Sequence, residues 1–435
     1  MLTLLLGFTT CSVPAFPRRD TLLMAAAAIP VAATMSSAPD VNWGIVGLGD
    51  VTAKKSGPPF WKCSGSKLTA VMRRTPGAAS TWIRDRVPNP AYCTGYDSLD
   101  AFLAHPELDA VYIATPPGSH LEIAAKVAAA GKHCYIEKPC GRCGYETAAI
   151  QEAFQTRGLK LFTAYISRAY PRTEAVRSLL AGGAVGERVT EVSYTLRGTG
   201  GARGLEEDEA LPWRLDAAQS GGGLIMDVGC HVIDRIDFLL GPLVSVSGRA
   251  ENRNSPRQAV EDFVSLQATV GAAPWAAVRS EGASVSMVWD FSPRADASEG
   301  EGPVDLLVIT GSNGSLEMAA MSPSAPISVL DAAGKLVRQL AFEQPEHTAQ
   351  ALIQSATDEL RGVLAAQGGA AEQCPSRGEN AVRASDVLDA ALDSYYGGRN
   401  DGYWKRPEAW PGNRRDCLRA DCSSRRSVSP RSGNP

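Results

Sequence analysis

Three residues carry the chemistry this chain is best equipped to do: Lys138, Asp227 and His231. Lys138 stands in Glu137-Lys138-Pro139, directly after the β-rich run His133-Cys-Tyr-Ile136, so it occupies the tip of an expected strand that Pro139 stops. In a doubly wound sheet the carboxyl ends of the strands border the ligand crevice, and an ammonium group there faces whatever binds. Asp227 and His231 lie four positions apart on a helix expected from Gly223 to Leu240, hence on one face and about one turn from each other. Histidine passes protons near neutral pH, and a carboxylate beside it sets its tautomer and raises its basicity. Singly, each motif is ordinary. Lys and Glu beside Pro are common in exposed turns, and a lone Asp–His pair reads as a buried histidine in an ordinary helix. Together they suit the oxidation of an alcohol, or the reduction of a carbonyl in reverse. His231 would take the hydroxyl proton, Lys138 would polarise the oxygen, and a hydride acceptor must lie beside the carbon.

The elements that would position Lys138 form a repeating pattern. Val41–Val46 is a β-rich run feeding Gly47-Leu48-Gly49-Asp50-Val51-Thr52, and Leu68–Met72 is the next run. Strand, glycine turn and strand open a dinucleotide-binding unit, with a pyrophosphate expected near the helix start at Gly49 to Val51. The fingerprint is imperfect: Thr52 replaces its third glycine, and Gly57-Pro58-Pro59 must break or shorten the helix. A short helix follows at Asp97–Leu103, then a buried strand at Asp109–Thr115 ending at Pro116-Pro117. Ser119 and Glu122 fit a capping box for a helix over Leu121–Ala130. A helix at Tyr145–Thr156 and a strand at Leu159–Tyr165 complete a parallel, doubly wound sheet of about six strands. The second strand ends at Met72, and where an NAD site usually offers an acid to the ribose, Arg73 and Arg74 follow. Two guanidinium groups suit a 2′-phosphate, so NADP is the preferred cofactor and NAD the second choice.

Past Arg168 the texture changes to period two. Val189–Thr195, Val244–Ser247, Phe263–Val270, Ala283–Trp289 and Asp305–Thr310 alternate, which implies a large, mostly antiparallel open sheet with one face wet or paired. Such a face suits a homo-oligomer. Late helices at Thr348–Gln367 and Ala381–Tyr395 are expected to close this second, α+β domain. The chain divides on this reading into a leader over 1–40, a nucleotide-binding α/β domain over 41–165, a substrate and oligomerisation domain over 166–412, and a disordered basic tail over 413–435.

Composition narrows the partners. In 435 residues, 43 basic against 47 acidic residues give a net charge of -4, which provides no electrostatic footprint for nucleic acid or an anionic membrane. A small-molecule substrate remains. The ten cysteines are scattered without the pairing of a disulfide scaffold, and Cys140-Gly-Arg-Cys143 has no second pair at zinc-ribbon spacing. No metal is expected, and a site from Asp227, His231 and Asp234 ranks last because no second histidine lies near. Within residues 1–40, two apolar stretches flank Pro17-Arg18-Arg19-Asp20. They fit a secretory, twin-arginine or two-part plastid leader. They equally fit an extended start upstream of Met35 on an otherwise cytoplasmic protein.

Four motifs in order, Gly44-Ile-Val-Gly-Leu-Gly49, Ala114-Thr-Pro-Pro-Gly-Ser-His120, Glu137-Lys-Pro139 and Gly221-Gly-Gly-Leu-Ile-Met-Asp-Val-Gly-Cys-His231, resemble the glucose-fructose oxidoreductase / inositol dehydrogenase / rhizopine catabolism (Gfo/Idh/MocA) family. The resemblance runs from about Asn42 to Gly412. It implies a Rossmann domain followed by a domain with an open, oligomer-forming sheet, and NAD(P)-dependent redox chemistry on sugars, polyols or related compounds. By position it implies Lys138 as the active-site lysine and Asp227 and His231 as the catalytic pair. Thr115, Pro116 and His120 would line the cofactor, with Glu137 and Lys138 beside it. Asp50–Phe60 and Tyr395–Pro407 mark a separate branch, which leaves the substrate open. Two other functions use the same residues: a glycosidase-like enzyme that retains and recycles NAD, and a non-catalytic nucleotide sensor.

Overall fold

The computed structural model describes residues 38–198, 210–253, 258–292, 303–365, 374–400 and 402–406. Nearly all of the expected leader, the expected basic tail and most of the loop before Trp213 lie outside the described residues. Six strands form the first sheet: β1 (Val41–Val46), β2 (Ser66–Met72), β3 (Thr94–Tyr96), β4 (Ala110–Ile113), β5 (His133–Ile136) and β6 (Leu161–Thr163). All pair in parallel, in the order β3-β2-β1-β4-β5-β6. The strand order reverses between β1 and β4, the switch point where such sheets bind ligands. β4 and β5 are buried at almost every residue because both faces of the sheet are covered.

One face of that sheet is covered by a helix from far along the chain. The crossover after β1 is broken into a π turn at Thr52–Ser56 and a four-residue helix at Pro59–Lys62, as Gly57-Pro58-Pro59 requires. Of those pieces, Phe60 packs on Trp43, Tyr112 and Tyr135 at 5.1, 5.0 and 6.4 Å between ring centroids. The helix Gln350–Ala365 completes the cover with Leu352, Ile353, Ala356 and Leu360, spaced three and four apart. Each such large apolar side chain contributes roughly 1.5–3 kcal/mol on burial. The expectation that both late helices close the second domain is therefore corrected: this one belongs to the first sheet's core.

The second sheet has eight strands: β7 (Val189–Arg197), β8 (Leu243–Glu251), β9 (Phe263–Val270), β10 (Ser284–Asp290), β11 (Val304–Gly311), β12 (Gly314–Met318), β13 (Ile327–Asp331) and β14 (Leu336–Leu340). Their order is β14-β13-β12-β11-β7-β10-β9-β8, antiparallel except where β10 pairs with β7. Its inner face shares one apolar core with the helices Pro171–Ala181, Cys230–Leu240 and Gly378–Tyr396. The outer face, which carries Ser193, Thr195, Ser265, Gln267 and Ser286, is partly or fully exposed. Among the described residues no helix is long and apolar enough to cross a membrane.

Two local expectations are also corrected. Ser119 does not cap its helix, which runs His120–Ala129; its hydroxyl turns back to Thr115 Oγ1 at 2.8 Å and Pro116 O at 3.0 Å. The cause is the 3-10 turn Pro117–Ser119, which leaves Ser119 at φ -108, ψ -2, outside the extended conformation a cap requires. The helix expected from Gly223 begins instead as a π turn, Ile225–Gly229, and becomes α-helical only at Cys230.

Candidate active site

The nucleotide side of the cleft is built from backbone. Gly47 ends β1 at φ +98, and an added Cβ would lie 2.8 Å from Ala114 C and 3.0 Å from Thr115 Cγ2, so only glycine lets the turn approach the loop after β4. Thr52, where the fingerprint's third glycine is missing, closes the turn by donating from Oγ1 to Gly47 O at 2.7 Å. Gly49 has open space on its Cβ side, and Asp50 is exposed beside it. A cradle of bare backbone at the β1/β4 switch point is what a dinucleotide pyrophosphate requires, so these residues fit one. Arg73 folds over the turn, Nη1 donating to Leu48 O at 3.2 Å, and Arg74 is exposed next to it. Thr115 and Pro116 follow β4 on the other side and are partly exposed.

His120 departs from the expectation that it lines the cofactor. It is fully buried, with its ring nitrogens 3.0 Å from Cys140 O and 2.8 Å from Thr115 O. It ties the loop after β4 to the loop after β5 and positions Thr115 from behind. Burial pulls its pKa below the ordinary value against the upward pull of the two carbonyls.

Lys138 and Asp227 meet across the cleft. Lys138 Nζ donates to Asp227 Oδ1 at 2.5 Å and to its main-chain oxygen at 2.8 Å, tying the first sheet's rim to the π turn. The Lys138–Pro139 peptide is cis. Arg214 Nε donates to Asp227 Oδ2 at 2.8 Å, so both carboxylate oxygens are taken by cations. Burial alone would raise the Asp227 pKa, but Lys138 and Arg214 together hold it well below the carboxylate range. For Lys138, burial pulls down and Asp227, Cys230 and Glu137 push up, with a net upward shift. Glu137 faces away from this ion pair. It accepts from Tyr112 Oη at 2.6 Å on Oε1 and from the Lys138 N–H on Oε2, and burial raises its pKa.

His231 sits one turn beyond Asp227, yet makes no hydrogen bond with it. The carboxylate is committed to Lys138 and Arg214, so it cannot set the imidazole tautomer as the spacing suggested. The ring meets Tyr165 edge to face at 6.2 Å between centroids. Its nitrogens have no partner among the described residues. Burial first, and then the Lys138 charge, lower its pKa well below the ordinary value, so it is a neutral imidazole at physiological pH. The arrangement offers an ammonium donor and a neutral base converging on one cleft.

The glycines before Asp227 are clamped from behind. Gly221, at φ +89, passes against the backbone of Arg142. The Gly223 N–H donates to Glu261 Oε1 at 2.7 Å, and Tyr396 Oη donates to Glu261 Oε2 at 2.5 Å. Arg399 donates to Gly221 O and to the Asp389 carboxylate, so the end of the described chain helps to hold the start of the π turn.

Sequence reasoning missed Arg214, Tyr165, Glu261 and Arg399. Pro212-Trp-Arg-Leu215 has no period or spacing to single it out, and the others become relevant only when distant elements pack. Among the described residues no group of three His, Cys, Asp or Glu is placed to hold a metal. Asp234 is occupied by Arg168 and Asn380, and Cys140 and Cys143 are buried free thiols.

Residues 41–165 match the oxidoreductase family, NAD-binding Rossmann fold, and residues 173–317 match the GFO/IDH/MocA C-terminal domain. The chain is 28% identical over 315 residues to Oxidoreductase P35 of Formosa agariphila, covering 72% of this chain and 89% of that protein. It is 32% identical over 201 residues to a D-xylose 1-dehydrogenase (NADP(+)) of Haloferax volcanii, covering 46% of this chain and 57% of that one. In fold it is similar to the aldose-aldose oxidoreductase from Caulobacter crescentus complexed with glycerol, with a TM-score of 0.66 at 24% identity, covering 83% of this chain and 98% of that chain. The chain therefore belongs to the Gfo/Idh/MocA family and is an oxidoreductase with an NAD(P)-binding Rossmann domain.

Proposed function

We propose that the cleft oxidises a hydroxyl of a sugar or polyol and reduces the corresponding carbonyl in reverse, with NADP preferred over NAD. The observation that carries this reading is the pairing of Lys138 with the turn that bears Asp227, which brings an ammonium from one sheet beside a neutral imidazole from the other domain. Gly47, Leu48, Gly49, Asp50 and Val51 would hold the cofactor's pyrophosphate, Thr115 and Pro116 would flank it, and Glu137 and Lys138 would border its reactive end. Bound there, the nicotinamide supplies the hydride acceptor.

The remaining steps belong to the chain. Lys138, kept charged by Asp227, donates to the substrate oxygen and orients it. His231, neutral and without a competing partner among the described residues, accepts the hydroxyl proton. Asp227 holds Lys138 in place and ionised. Arg73 and Arg74 at the end of β2 support the NADP preference, because two guanidinium groups complement a 2′-phosphate. A D-xylose dehydrogenase using NADP(+) among the relatives supports a sugar substrate.

The test is a nicotinamide absorbance screen over sugars, polyols and inositols with both cofactors. Net reduction or oxidation of the cofactor is expected with at least one. A protein that purifies with bound cofactor and cleaves glycosides with no net absorbance change would replace this reading with the recycling one. The uncovered face of the second sheet is read as the surface on which copies of the chain associate, and sedimentation at micromolar concentration should return more than one chain per particle.

A further inference from the structure

We propose that Arg214 is a specificity-determining residue that reads a carboxylate on the substrate, so that the cleft prefers sugar acids to neutral sugars of the same length. The inference rests on the redox reading above, although a residue outside the proposed hydride and proton steps carries it. The Arg214 guanidinium is held at two points. Its Nε donates to Asp227 Oδ2 at 2.8 Å, and its carbon lies 4.4 Å from the centroid of the Trp213 ring. Nη1 and Nη2 have no hydrogen-bond partner among the described residues. The side chain is still 35% exposed and lines a small hollow with Pro117, Pro139 and Asp227.

A guanidinium fixed on one face and at Nε presents its two terminal nitrogens as a fork, the arrangement that matches the two oxygens of a carboxylate. Because the side chain is already immobilised, little rotamer freedom is lost when the fork is filled. Charge bookkeeping points the same way. One carboxylate, Asp227, faces two cations, Lys138 and Arg214. Glu137, the other acid near Lys138, is turned toward Tyr112. A third cation, Lys55 on the turn Thr52–Ser56, is exposed, has no ion-pair partner among the described residues, and lies near enough to His231 for its charge to act there. A neutral sugar leaves the Arg214 fork without an anion, whereas a carboxylate fills it.

Cofactor phosphates are the competing source of negative charge, and the test separates the two. Calorimetric titration of the full chain saturated with NADPH measures Kd for D-gluconate and for D-glucitol, which differ only at C1. The intact protein should bind gluconate at least about tenfold more tightly. Arg214→Gln should bring the two within roughly twofold, and Arg214→Lys should keep part of the difference because charge survives without the fork. Should Arg214→Gln fail to fold, Arg214→Lys carries the test, with a fall of roughly threefold in the ratio expected. Equal affinities in the intact protein, or an unchanged ratio in the variants, would overturn the proposal. So would a variant that weakens NADPH alone, since the fork would then serve the cofactor. A chain that prefers gluconate in this way yet turns over no sugar or polyol would fault the redox reading and leave the role of Arg214 intact.

Discussion

Two ionic clusters share the segment from Ile225 to Leu240, and they are built on opposite plans. The first, at the π turn, sets two cations against the single carboxylate of Asp227, with Lys138, Asp227 and Arg214 side chains 14%, 25% and 35% exposed. The second lies along the helix that follows. Arg168 donates to Asp234 at 2.9 Å through both Nε and Nη2, to Asp237 Oδ2 at 2.8 Å and to Pro375 O at 3.2 Å. Asn380 adds 2.8 Å to Asp234, and Arg383 adds 2.7 and 2.8 Å to Asp237. Here two carboxylates meet two guanidinium groups, and Arg168, Asp234 and Asp237 are nearly inaccessible. The closed cluster has its charge and bonding capacity used up internally, so it can fix the helix but do little else. The open one keeps a fork on Arg214 that is unspent among the described residues, and stands beside an imidazole with no partner among them. Chemistry is left where satisfaction is incomplete.

The largest expected effect is on the open side. Lys138→Ala should lower kcat/KM by roughly 10²–10⁴-fold while leaving the circular dichroism spectrum unchanged. Full turnover in that variant would end the assignment of the cleft. On the closed side the loss should appear as stability. Arg168→Met leaves two buried carboxylates short of a partner and should cost about 3–5 kcal/mol in a denaturant titration. Arg214→Gln, at a partly exposed pair, should cost about 1 kcal/mol or less. If the two cost the same, the distinction between the clusters fails.

A pH profile sharpens the contrast. His231 titrates well below an ordinary histidine, so the acid limb of kcat/KM should fall below pH of about 6.5, the unperturbed value. Asp227 is what offsets the effect of burial on Lys138, so Asp227→Asn should move the alkaline limb to lower pH. An alkaline limb that stays in place or rises would show that Lys138 does not depend on Asp227. A separate effect is expected at the far end of the cofactor cleft. Arg73→Ala should weaken NADP by roughly tenfold, about 1.4 kcal/mol, with NAD little changed, as measured by fluorescence titration.

The local grammar of the first domain was legible. His133–Ile136 is a strand over the same residues that the β-rich run marked, and the double proline shortened the first crossover as its missing N–H requires. Period two located β7 to β11. It missed β12, β13 and β14, short strands of which β14, Leu336-Val-Arg-Gln-Leu340, shows no alternation because four of its five residues are exposed. The Ser119 cap failed because the preceding 3-10 turn, not the local sequence pattern, set its backbone. Asp227 and His231 were found from spacing, but not the allegiance of the carboxylate, which goes to Lys138 and Arg214.

The division follows from the range of the forces. Strand and helix identity, the glycine turn, and the presence of a lysine at a strand tip depend on neighbours within a few residues, and those are written in order along the chain. Lys138 and Asp227 are 89 positions apart and Arg168 and Arg383 bracket one helix from opposite ends of the second domain, so no pattern along the chain encodes their meeting. Only packing decides which cation a carboxylate takes, which histidine is left neutral, and which arginine keeps an open edge. Those choices are made by burial and by competition among partners that the fold alone brings within reach.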